Sequence, residues 1–65
     1  MTFAQHTALA RLSDGEWRAM PDHAPGLLAR LYRADMIRCD NDHVPMYERF
    51  FTITPDGLNV VEAAQ

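Results

Sequence analysis

The side chains in this chain that could do chemistry are few, and one type dominates. All six basic residues, Arg11, Arg18, Arg30, Arg33, Arg38 and Arg49, are arginines. A guanidinium presents a rigid fork of donors that fits phosphate, guanine or carboxylate better than a lysine ammonium does. The other reactive types do not assemble. Cys39 and His43 are separated by three residues, but no second Cys–His pair completes a tetrahedral site, and His6 and His23 belong to unrelated segments. Asp40-Asn41-Asp42 hints at a calcium loop, yet the glycine and closing glutamate of such a loop are missing, with Phe51 in the latter's place. Nor is there a glycine-rich phosphate loop, a nucleophile elbow or a spaced carboxylate pair framed by apolar residues. The expectation is a protein that is not an enzyme and holds no metal or cofactor, its histidines lying in turns or on the surface.

Short elements must position these arginines. A first helix is expected over residues 3–12 with Thr2 as N-cap, its inward side made by Ala4, Ala8, Leu9 and Leu12, with Phe3 off that stripe. Ser13-Asp14-Gly15-Glu16 reads two ways: Ser13 and Glu16 form a capping-box pattern for a second helix, whereas Asp14-Gly15 is a turn signal. Either way Trp17-Arg18-Ala19-Met20 is a short element stopped by Pro21, and Trp17 is expected to plug the core. After a turn over 21–25, Pro25 opens the third helix. In it Leu27, Leu28, Leu31 and Tyr32 share one side, and Gly26, Ala29, Arg30 and Arg33 the other. Two strands follow, about 36–40 and 46–53. In the second, Tyr47, Arg49, Phe51 and Ile53 alternate with Glu48, Phe50 and Thr52. Thr54 then caps a last helix begun by Pro55, with Gly57, Leu58, Val61 and Ala64 inward.

With 65 residues, this is one small domain, and a chain of that length buries only about 60% of its unfolded surface. A core of this size yields roughly 3–5 kcal/mol, so a dimer or a partner would usefully add stability. Cys39 is the single cysteine, which excludes an internal disulfide and fits a reducing cytosol. Residues 1–6 show no basic region leading into an apolar run, and no apolar run nears the ~20 residues that span a bilayer. A soluble, cytoplasmic protein is therefore expected, with no membrane partner. Nine acids against six arginines give a net charge of −3, which argues against a surface devoted wholly to phosphate.

Three segments carry a resemblance. Leu31-Tyr32-Arg33-Ala34-Asp35-Met36-Ile37 is similar to the end of a recognition helix running into the next strand in winged helix-turn-helix regulators of the multiple-antibiotic-resistance-regulator type. Ile53-Thr54-Pro55-Asp56-Gly57 resembles the Leu-Thr-x-x-Gly that closes their wing, and residues 9–17 resemble the turn after their first helix. Together these imply one α+β domain over residues 1–65. It would be winged helix-turn-helix-like, with three or four helices and a two- or three-stranded antiparallel wing, as in small bacterial or phage proteins of this kind. The family's usual glycine after the third helix is Asp35 here, Pro21 clips the second helix, and the wing tip carries Asp40 and Asp42.

The resemblance implies a transcriptional regulator whose third helix enters the DNA major groove. Arg30 and Arg33 would then read guanine bidentately beside the small Gly26 and Ala29, while Arg18, Arg38 and Arg49 would hold phosphates. Alternatively, Arg30 and Arg33 simply solvate the helix and pair with neighbouring acids. A rival reading uses the acids: Asp40, Asp42 and Glu48, with Asp56 and Glu62, could imitate phosphate towards a basic, nucleic-acid-binding protein, as a phage-type inhibitor would. Phe3, Tyr47, Phe50 and Met46 would supply its apolar anchor. A homodimer is expected under either reading.

Overall fold

The chain starts with a reciprocal cap. In a computed structural model that describes residues 2–41 and 43–63, the Gln5 amide donates to Thr2 Oγ1 at 3.2 Å and the Thr2 amide donates to Gln5 Oε1 at 3.0 Å. Two otherwise orphaned donors are satisfied at once, and helix α1 runs from Phe3 to Arg11. Ala8, Leu9 and the following Leu12 are fully buried, but Ala4, expected inward, is exposed. The first turn of α1 overhangs the core, so a correct stripe position there still meets solvent.

Between α1 and the next helix the turn signal prevails over the capping-box pattern. Ser13 Oγ donates back to the Ala10 carbonyl at 2.7 Å, and Gly15 adopts φ +81°, a left-handed conformation that glycine takes without a Cβ penalty. The chain then extends as strand β1, Arg18–Ala19, rather than as a helix. That choice overturns the expected role of Trp17. In a helix Trp17 and Met20 would share a face; in an extended segment residues three apart point to opposite faces. Met20 takes the inward place with no exposed surface, and Trp17 is left 49% exposed. Phe51, also wholly buried, is the aromatic of the core instead.

Helix α2, Pro25–Arg33, begins at the expected proline, with the amides of Leu27 and Leu28 both donating to the Ala24 carbonyl. It buries Leu28 and Leu31 and half-buries Leu27, but Tyr32 lies at the edge of the stripe and is exposed, contrary to expectation. Its end is a Schellman motif: the Met36 amide donates to the Leu31 carbonyl at 3.0 Å and the Asp35 amide to the Tyr32 carbonyl at 3.1 Å. Asp35 therefore takes φ +60°, the conformation a glycine would favour there.

Strands β2, Ile37–Cys39, and β3, Phe50–Ile53, form an antiparallel hairpin with Ile37 opposite Ile53, Arg38 opposite Thr52 and Cys39 opposite Phe51. Strand β1 adds antiparallel to the other edge of β3, Arg18 opposite Phe51 and Ala19 opposite Phe50, giving the order β1-β3-β2. The expected longer strand from residue 46 is interrupted. Met46–Glu48 is a 3-10 turn following Pro45, with the Glu48 amide donating to the Pro45 carbonyl at 2.9 Å.

Helix α3, Pro55–Ala63, follows β3 through Thr54, which is almost wholly buried. Thr54 Oγ1 accepts from the Gly57 amide at 3.1 Å and donates to the Asp35 carbonyl at 2.6 Å, and its own amide donates to the Met36 carbonyl at 3.1 Å. One threonine thus caps α3 and ties it to the end of α2. Gly57 is required by contact: a Cβ there would lie 2.2 Å from the Met36 carbonyl oxygen and 2.9 Å from Ile53 Cγ1. Gly57 and Val61 are buried and Leu58 half-buried, while Ala64, also expected inward, lies outside the described residues. Among the described residues the result is an α+β fold of three helices and one three-stranded antiparallel sheet. A single apolar cluster, including Leu9, Leu12, Met20, Leu28, Ile37 and Phe51, joins the helices to one face of that sheet.

Candidate nucleic-acid interface

The buried leucines of α2 fix where its other residues point. Leu28 and Leu31 face the core, so Arg30 and Arg33, three residues apart, are held in solvent on the outer side of the last turn. Guanidinium groups there also meet the partial negative charge of the helix C-terminus, worth a few tenths of a kcal/mol to about 1. Among the described residues neither arginine takes part in an ion pair. Gly26, in the first turn, is exposed and has no atom within 4 Å of where a Cβ would sit, so that end of α2 stands open. Ala29 is half-buried rather than on the outer side.

The remaining arginines do not join this pair. Arg18 forms an ion pair with Asp14 across the turn that follows α1. The Glu16 amide and then the Arg18 guanidinium both bond the Asp14 carboxylate, and these hold its pKa below the ordinary value. Arg49 is half-buried and turned inward on its own loop, Nε donating to the Val44 carbonyl at 2.9 Å and Nη1 lying 3.5 Å from Met46 Sδ. Arg38 is exposed opposite Thr52, on the sheet face that the helices leave uncovered. Arg11 Nη1 lies 3.2 Å from His23 Nε2, a pairing that ties the end of α1 to the turn before α2 and that sequence reasoning missed.

The acidic and aromatic candidates are scattered as well. Asp40 is exposed, but its Oδ1 accepts the Phe50 amide at 3.1 Å, so this carboxylate closes the hairpin as well as charging it. Asp42 lies outside the described residues. Glu48 and Tyr47 are exposed on the 3-10 turn, Asp56 in the first turn of α3 and Glu62 near its end. Phe3 is 87% exposed at the start of α1. Met46, expected as an anchor, packs against the core instead. Trp17 and Phe50, each 49% exposed, stand on the free side of the sheet. Once residues 18 and 19 pair with β3 and Met20 is inward, strand parity turns Trp17 out, but the choice of strand over helix is made by that distant pairing.

Cys39 is half-buried, and among the described residues no three His, Cys, Asp or Glu side chains converge on one point. No described helix is long and apolar enough to cross a membrane. No protein-family model matches this chain, and neither the curated proteins nor the solved structures contain a significant match to it.

Proposed function

We propose that this chain is a small winged-helix-like DNA-binding domain of the transcription-regulator kind, with α2 as the helix that enters the major groove. The observation that carries the reading is the exposed Arg30–Arg33 couple, in no ion pair among the described residues, on a helix whose other side buries Leu28 and Leu31. At nine residues α2 is about 13 Å long, enough to cross a groove about 12 Å wide. The order α1-β1-α2-β2-β3-α3 with sheet order β1-β3-β2 fits a winged-helix frame in which residues 40–49 are the wing. The departure from that frame is the stretch before α2, a turn at Pro21–His23 where a further helix would steady the recognition helix. The Arg11–His23 contact braces that turn from α1 instead.

Arg30 and Arg33 are assigned to guanine O6 and N7. Fluorescence anisotropy with random-sequence and genomic-fragment duplexes at two salt concentrations tests the proposal. Binding that weakens with salt and prefers one fragment is the expected result. Arg30→Ala should then cost about 1–3 kcal/mol and relax the preference at one base position. An unchanged footprint in that variant removes Arg30 from the readout, and no binding at low salt removes DNA as the partner.

The second reading is an acidic module that binds a basic protein. Its support is the exposed Tyr47-Glu48 pair on the 3-10 turn, next to a hairpin end charged by Asp40. A wing of that character suits an arginine-rich surface better than it suits phosphate.

A further inference from the structure

The helices and the apolar cluster occupy one face of the sheet, and the other face is bare. The registers order its side chains into two rows. Ala19, Phe50 and Asp40 make one, the Asp40 amide donating to the Phe50 carbonyl at 3.1 Å just beyond the ladder. Thr52 and Arg38 make the other, and carrying the β1 register back by one residue places Trp17 beside Thr52. Thr52 Oγ1 donates to the neighbouring Gly15 carbonyl at 3.0 Å, which holds that end of the row. Every one of these six positions is exposed except Thr52, which is half-buried. Two large aromatics thus stand in adjoining rows on a surface that no described helix covers.

The charges on this face select the occupant. Arg38 on β2 and Asp40 just past its end lie two residues apart and are of opposite sign; one Asp40 carboxylate oxygen already accepts the Phe50 amide, which leaves the other to meet a partner. A nucleic-acid strand stacked on the aromatics would meet Asp40 on a chain of net charge −3. A second copy meets no such conflict. A twofold axis lying parallel to the sheet and running across the strands, midway between the rows, lays each row on the partner's other row. Arg38 then faces Asp40, Trp17 faces Ala19 and Phe50 faces Thr52. Each contact sets opposite charges together or a large side chain over a small one.

We propose that this free sheet face is where two copies of the chain pair, row on row about such an axis. The interface leaves Arg30 and Arg33 outside it, because α2 packs against the opposite face of the sheet, and it does not depend on DNA being the ligand. It is also small. A standard interface takes about 800 Å² from each partner, roughly a fifth of this chain's 4175 Å². Six residues of a short sheet give less than that, so the dimer is a weak one.

Sedimentation equilibrium from the micromolar to the millimolar range tests the pairing, with emission from Trp17, the single tryptophan, as a local probe. The mass should double with concentration while Trp17 emission moves to the blue and becomes harder to quench with acrylamide. Arg38→Asp, which sets two carboxylates together, should weaken dimerisation by about tenfold or more. Ala19→Arg, at an exposed position under the partner's Trp17, should do the same, and circular dichroism of both variants should match the parent. A single-copy mass at millimolar concentration overturns the proposal. So does a dimer that survives both substitutions. Quenching of Trp17 by a thymidine oligonucleotide in a chain that stays monomeric would give the face to single-stranded nucleic acid instead.

Discussion

The two ends of the β2–β3 hairpin are built on different principles. At the end next to the helices, Thr54 bonds to Asp35 and Met36, nineteen and eighteen residues earlier, and Gly57 lets α3 press against the Met36 carbonyl. At the far end the bonds are local: His43 amide to Asn41 Oδ1 at 3.0 Å, Arg49 Nε to the Val44 carbonyl, Phe50 amide to Asp40 Oδ1. The first set fixes where α2, the sheet and α3 stand relative to one another. The second set shapes the tip, which touches the core through Met46. Binding residues can be exchanged on the tip or on the outer side of α2 without disturbing the junction, and the junction cannot change without moving all three elements.

Gly57→Ala attacks the junction where it is tightest and should have the largest effect. A Cβ 2.2 Å from a backbone oxygen must displace α3, and overpacking costs about 1–3 kcal/mol, with a clash against backbone at the upper end. That is most of what a core this small supplies, so the variant should lose its cooperative melt; an unaltered melting temperature would mean that α3 does not pack against Met36. Arg49→Ala attacks the tip. Its bond to the Val44 carbonyl is lost at about 1 kcal/mol, and amide exchange should rise around residues 43–49 while the amides of Thr54, Gly57 and Leu58 stay protected. Exchange spreading to those three would erase the distinction between the two ends. The smallest effect runs the other way. Asp35→Gly relieves a side chain held at φ +60° and keeps the carbonyl that Thr54 uses, so it should stabilise by about 0.5–1 kcal/mol. Thermal denaturation should show a rise of a few degrees, and a fall would mean that the Asp35 carboxylate does more than its backbone reveals.

Features decided within a few neighbouring residues were legible in the sequence. The Thr2 cap of α1, Pro25 opening α2, and Thr54 with Pro55 opening α3 all follow from side chains and ring geometry acting on backbone at most a turn away. Arg30 and Arg33 were legible for the same reason, since the leucine stripe of one helix dictates which side they face. Trp17 was misread because its direction depends on whether residues 14–20 coil or extend, and β3, more than thirty residues away, decides that by offering an edge to Arg18 and Ala19. Met46–Glu48 fits strand alternation as well as it fits the 3-10 turn it adopts. Tyr32 sat on a correct stripe whose margin the core does not reach.

Composition and local pattern by themselves determined that this is one small α+β chain, rich in arginine yet net acidic, with three well-signalled helix starts and a hairpin. They also determined which arginines share a helix side, because helical geometry is a property of adjacent residues. Tertiary structure alone decided that β1 exists and that its pairing turns Trp17 towards solvent. It decided, too, that Arg49 serves its own loop, and that Trp17, Phe50, Arg38 and Asp40 share one uncovered face. Each of these depends on strand pairing or on a backbone approach between distant segments. Such contacts are selected by the free energy of the whole core and leave little trace in any short window of sequence.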